Sequence, residues 1–206
     1  MLHKLLIALC LFITMNTTAQ EKGQSTPAPQ TPAIDYKKMG APMPRLLMVA
    51  YHDTSAKKDT IEENKHLSKK ERKRRWHELM AHQSLKEISG DDLSKNGNLF
   101  VMMFNPTCSH CEEETSILEK NIALFKKSEL VLVANPSMKQ YIPNFTKTYH
   151  TDQYPCMYVG TDSSGFIDNV FLYQSLPQIN IYNTERKLIK TYTGDVPIDS
   201  LKKYIQ

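Results

Sequence analysis

Residues 98–125 constrain this chain more than any other stretch. An apolar run at 98–104 breaks into Asn105, Pro106 and Thr107. A C-x-x-C follows, formed by Cys108 and Cys111 with Ser109 and His110 between them. The apolar run reads as a buried strand, and residues 112–125 read as an amphipathic helix opening on Glu112, Glu113 and Glu114. That order places two thiols in the first turn of a helix leaving a sheet edge. Unpaired N–H groups and the positive end of the helix dipole there favour a thiolate over a thiol. A thiolate beside a second thiol is the working part of a disulfide exchanger.

The N-terminus follows a different pattern. Residues 5–13 form an apolar stretch behind His3 and Lys4, and polar residues follow at 16–18. Thr17 and Ala19 suit the small-residue positions before a signal-peptidase cut, so residues 1–19 are expected to be a signal peptide, with Gln20 the first mature residue. The stretch is short for a membrane span, and an uncleaved anchor is the alternative expectation. Cys10 is poorly suited to lipid attachment, because Leu9 is bulky and the apolar stretch continues past it. The chain is expected to be exported.

The roughly 185 residues that remain suit one domain with an extension. A formal net charge of +4 is too mild to imply nucleic acid as a partner. Of the four cysteines, Cys108, Cys111 and Cys156 lie beyond the leader. An odd number at these spacings is no structural disulfide framework, so the C-x-x-C is the candidate for exchange chemistry. Cys156 is left over, and its expected role is that of a small sheltered hydrophobe.

Residues 20–44, rich in Pro, Gln, Thr and Ser, read as a flexible linker. Residues 45–52 read as a first strand and 53–59 as a loop. Residues 62–87 have helical composition, with Ser68 and Glu71 in a capping-box pattern and Trp76, Leu79, Met80 and Gln83 as a buried stripe. Further strands are expected at 129–134, 157–161, 178–182 and 187–192, the last two joined as a hairpin. Helices are expected at 137–150 (broken near Pro143), 166–173 and 199–205. The fold class is therefore α/β: a three-layer sandwich over residues 45–206, with a mixed central sheet and an N-terminal helical extension at 45–89.

Taken together these features resemble the thioredoxin fold and, within it, the exported TlpA/ResA-like thiol-disulfide oxidoreductases. The resemblance rests on the strand–C-x-x-C–helix unit and on Glu114, three residues after Cys111. It rests also on Leu176 and Pro177 entering a strand as the family's cis-proline does, and on a hairpin ending at Gly194 before the last helix. Gly40, Ala41 and Pro42 are a faint echo of the family's N-terminal segment. The match covers about residues 90–206 well and 40–89 poorly. Three positions depart from the family pattern: Thr107 replaces its tryptophan, Ser109-His110 lacks a proline, and Met102 stands where thioredoxin has a buried aspartate.

Within this frame Cys108, first and most exposed at the helix start, is the expected attacking thiol, and Cys111, about one turn on, the resolving thiol. His110 stabilises the Cys108 thiolate or else faces solvent and sets partner contacts. The resemblance assigns Glu114 a proton-shuttling role for Cys111, beside its plain value as an acid in a first helical turn. It likewise makes Pro177 a cis residue lining the substrate-facing wall.

The implied activity is disulfide exchange with protein thiols or disulfides, reductive rather than oxidative. It would take place in the bacterial periplasm with a membrane redox partner, and no cofactor or resident metal. A non-catalytic binding module on the same fold and a Cu(I) chaperone using Cys108, Cys111 and His110 are the alternatives. Two other signals are set aside. His77 and His82 imitate a zinc-protease motif but lie about 140° apart on a helix. The basic run at 69–75 reads as a solvated helix face, with weak membrane-surface association as its other meaning.

Overall fold

Two of the runs read as strands are apolar at every position after the first, which suits strands covered on both faces. The computed structural model describes residues 33–53, 68–71, 74 and 83–205. Their strands are β1 (Leu47–Asp53), β2 (Gln83–Ser89), β3 (Leu99–Phe104), β4 (Glu129–Ala134), β5 (Met157–Asp162), β6 (Gln178–Tyr182) and β7 (Leu188–Thr193). The α-helices after β2 are α1 (Ser109–Lys120), α2 (Ile142–Thr148), α3 (Phe166–Val170) and α4 (Ile198–Lys202). The strands form one mixed sheet in the order β2-β1-β5-β4-β3-β6-β7.

Side chains alternate across the central strands and so divide the core in two. Phe100, Met102 and Phe104 of β3 join Leu130, Leu132 and Ala134 of β4 on one face, where Cys111, Leu118, Ile142, Phe145 and Leu201 cover them from the helices. Leu99, Val101 and Met103 join Val131 and Val133 on the other, under Phe166 and Val170 of α3. This is the period-two pattern of strands with two buried faces. Three layers result, with β3, β4 and β5 parallel at the centre and antiparallel strands on both sides.

The N-terminal part corrects the expectation. Residues 83–87, placed at the end of a helix by composition, lie instead in the edge strand β2, paired antiparallel to β1 from Leu47↔Ser89 to Asp53↔Gln83. Pairing with a neighbour overrides helical propensity here. The Ser68 capping box does form: Ser68 N–H donates to Glu71 Oε2 at 2.9 Å, and Glu71 N–H donates to Ser68 Oγ at 3.3 Å. Nor does the expected linker extend to residue 44. Gly40 N–H donates to the Leu188 carbonyl at 2.7 Å and Met43 N–H to that of Arg186 at 2.7 Å, lashing this segment to the last hairpin. The helix expected at 137–150 is broken beside Pro143, as expected: a 3-10 segment at Pro136–Tyr141 gives way to α2, with Pro143 in its first turn, where its missing N–H costs nothing. The expected signal peptide, Cys10, Trp76, Leu79, Met80, His77, His82 and Arg72, Lys73 and Arg75 of the basic run lie outside the described residues.

Candidate functional site

The sheet register assembles the site. Cys108 follows the end of β3 by four residues. The antiparallel pair Met103↔Gln178 sets Pro177 level with that same end, and Gln178↔Thr193 brings Gly194 and Asp195 beside it. The Leu176–Pro177 peptide bond is cis, and the Pro177 carbonyl accepts from Gly194 N–H at 2.8 Å. Gly194 has φ +76°, a conformation that residues with a Cβ seldom adopt. Gln178, fully buried, secures the loop before Pro177: its side chain donates to the Val170 carbonyl and accepts from Leu172 N–H.

Asn105 shapes the turn into the thiols. Its Oδ1 accepts from both the N–H and the hydroxyl of Thr107, each at 2.9 Å, and its own N–H donates to Cys111 Sγ at 3.5 Å. Cys108 is the N-cap residue of α1, with extended backbone and no side-chain cap bond, so its sulfur is not spent on capping. It is half-buried, and both thiols are free. The buried residues of α1 are Cys111, Glu114, Thr115 and Leu118, one stripe at helical spacing. Cys111 therefore turns inward while Cys108 meets solvent. Burial, with the Cys108 sulfur adding to it, pushes the Cys111 thiol up to about 12, against the opposing pull of Asn105 N–H.

Glu114 lies on the same stripe, only 1% exposed. Its Oε2 accepts from Val196 N–H at 3.0 Å, and its Oε1 is buried without a hydrogen-bond partner. Burial first, and the nearby Asp195 carboxylate second, raise this carboxyl to about 7, against the Val196 bond. His110 has most of its side chain in solvent, 60% exposed, and its Nδ1 lies 3.0 Å from Asp195 Oδ1. Asp195 is absent from the sequence reading, as is the Val196 backbone. A polar residue after a hairpin glycine carries no signal of its own.

Cys156 is half-buried against the core, and burial raises its thiol. It stands at the N-terminal end of β5, whereas Cys108 follows the C-terminal end of the parallel strand β3. The two ends are separated by a strand length of about 20 Å. Cys156 is thus not part of this site. Among the described residues no group of three or more His, Cys, Asp or Glu is placed to hold a metal ion.

The fold that assembles this site matches known structures. The thioredoxin domain of a thiol-disulfide oxidoreductase from Bacteroides vulgatus superposes with a TM-score of 0.54 at 13% identity, covering 82% of this chain and 99% of that one. The chain has the thioredoxin fold. A reduced 2-Cys peroxiredoxin from Plasmodium vivax gives the same TM-score at 12% identity, covering 81% of this chain and 93% of that one. No protein-family model matches the sequence, and no characterised protein matches it at the sequence level. The thioredoxin fold here carries β1 and β2 beyond β5, on the side of the sheet away from the cysteines. Among the described residues no helix is long and apolar enough to cross a membrane.

Proposed function

We propose that this protein is a thiol-disulfide oxidoreductase that reduces disulfides in protein substrates through Cys108 and Cys111. The observation that carries the reading is the division of labour at the start of α1: a half-buried thiol above a fully buried one, with a buried carboxyl near neutrality on the same helical stripe.

The Cys108 thiolate attacks one sulfur of a substrate disulfide, forming a mixed disulfide and expelling the other substrate sulfur as thiolate. Cys111, losing its proton, then attacks Cys108 Sγ, which releases the second substrate thiolate and leaves a Cys108–Cys111 disulfide. Two electrons pass to the substrate. The Cys111 thiol, pushed up to about 12, needs a base to do this at neutral pH. Glu114, one turn on and titrating near 7, is matched to accept that proton and return it to a departing thiolate. Pro177 forms the wall against which an extended substrate segment lies, and His110 contributes to the rim.

The reductive direction and the periplasmic setting follow from the resemblance to exported TlpA/ResA-like proteins and from the leader-like residues 1–19. In that setting a membrane redox partner regenerates the dithiol. Export is checked by fractionating cells that express the full chain. For the chemistry, the wild-type chain should turn over in dithiothreitol-coupled reduction of a disulfide protein. Cys108→Ser should abolish turnover, and Cys111→Ser should accumulate a mixed disulfide on Cys108. Full binding and full turnover by Cys108→Ser would instead establish a binding module.

A further inference from the structure

His110 lies between the two cysteines, in the first turn of α1. An imidazolium there would stabilise the Cys108 thiolate and with it the dithiol form, making the couple a stronger oxidant. The structure gives that imidazole another partner. His110 Nδ1 lies 3.0 Å from Asp195 Oδ1 and 3.2 Å from Oδ2, across a sequence separation of 85 residues.

Asp195 is not on a loose loop. The residue before it is tied by Gly194 N–H to the Pro177 carbonyl at 2.8 Å, and the residue after it by Val196 N–H to Glu114 Oε2 at 3.0 Å. The backbone is pinned on both sides to the walls of the thiol site. The carboxylate is thereby held facing the first turn of α1.

We propose that Asp195 is a positioning residue that holds the His110 ring and withholds it from Cys108, keeping the couple on its reducing side. The inference rests on the Cys108–Cys111 pair being an exchange couple, as proposed above. With Nδ1 engaged by the Asp195 carboxylate, the ring is held to the far wall and not to the sulfur. Without Asp195 the ring is free to swing to the thiolate, an attraction the wild-type arrangement denies it. Glu114 also faces Asp195, so a variant at 195 alters the surroundings of that carboxyl as well. That contribution is present whether or not residue 110 is histidine, and a double-mutant comparison removes it.

The test is the equilibrium between the enzyme dithiol with oxidised glutathione and the enzyme disulfide with two reduced glutathiones. The full chain is used, and the fraction oxidised is read by acid quench, alkylation and mass analysis of the peptide containing Cys108 and Cys111. Both side chains are well exposed, so the effect is modest. Asp195→Ala should lower the constant for forming the enzyme disulfide about three- to fivefold. In a His110→Ala background the same substitution should give a clearly smaller fall, and Asp195→Glu should restore the wild-type constant. An unchanged constant in Asp195→Ala overturns the proposal. So does an equal fall in both backgrounds, which would leave Asp195 a bare charge. A wild-type chain with a reversible couple but no such coupling sinks this inference alone. A wild-type chain with no reversible couple overturns the exchange reading along with it.

Discussion

Glu114 makes the stability of the reduced protein fall as pH rises, and the size of the effect can be worked out. Its carboxyl titrates at about 7 in the folded chain against an ordinary 4.5. Below 4.5 both folded and unfolded chains hold the proton, and this group adds no pH dependence. Between 4.5 and 7 the folded chain keeps a proton that the unfolded chain has lost, so stability declines with pH. One proton corresponds to a slope of about 1.4 kcal/mol per pH unit, and the whole interval to at most about 3.5 kcal/mol. Above 7 both forms are ionised and the loss is complete. Glu114→Gln keeps an oxygen for Val196 N–H and removes the ionisation. Urea unfolding of both reduced proteins between pH 4 and 8.5 should show the variant's stability rising relative to wild type from about pH 4.5 to 7 and levelling off on either side. The pH dependence of the difference is the readout, because any cost of burying the amide is the same at every pH. Parallel profiles for the two proteins would refute the reasoning and with it the matched base assigned to Cys111.

Alkylation offers a second check. With its thiol near 12, only about one Cys111 in 100,000 is ionised at pH 7. Iodoacetamide should therefore modify Cys108 well before Cys111 in the folded, reduced chain, and urea should erase the difference; equal labelling of the folded chain would contradict the burial described. Gly160 pairs with Ala50 of β1, and a Cβ there would run into the Val49 carbonyl oxygen and lie 2.8 Å from Ala50 Cα. Gly160→Ala should lower stability by about 2–3 kcal/mol, a thermal midpoint fall of about 4–12 °C; a midpoint within a degree of wild type would mean β1 is not seated as described. Asn105→Ala removes the acceptor of two Thr107 bonds and should slow reaction of Cys108 with substrate more than it lowers stability, the latter by about 1 kcal/mol in thermal unfolding.

The strands of the core were legible because their chemistry is local. Residues 99–104 and 130–134 are apolar without interruption, and strands covered on both faces look like that wherever they occur. β2 was not legible. Leu85, Lys86 and Glu87 all lie exposed on an edge, Ile88 is the one buried residue among the described side chains of β2, and nothing but the pairing with β1 makes the segment extended. The N-terminal segment failed for the opposite reason: residues 40–44 look like linker by composition, yet their backbone groups find partners at Arg186 and Leu188.

At the site the same division holds. By itself the sequence determined that two thiols stand at a helix start behind a buried strand, with His110 between them and Glu114 one turn on. Those relations depend only on neighbours along the chain and on helical spacing. The tertiary structure alone decided that Cys111 and Glu114 lose their water, that Pro177 and Gly194 meet at the end of β3, and that Asp195 reaches His110. Desolvation depends on what packs over a side chain, and a through-space charge pair on where a distant strand ends. Neither is written in the local sequence, because both are set by the antiparallel register of β3, β6 and β7.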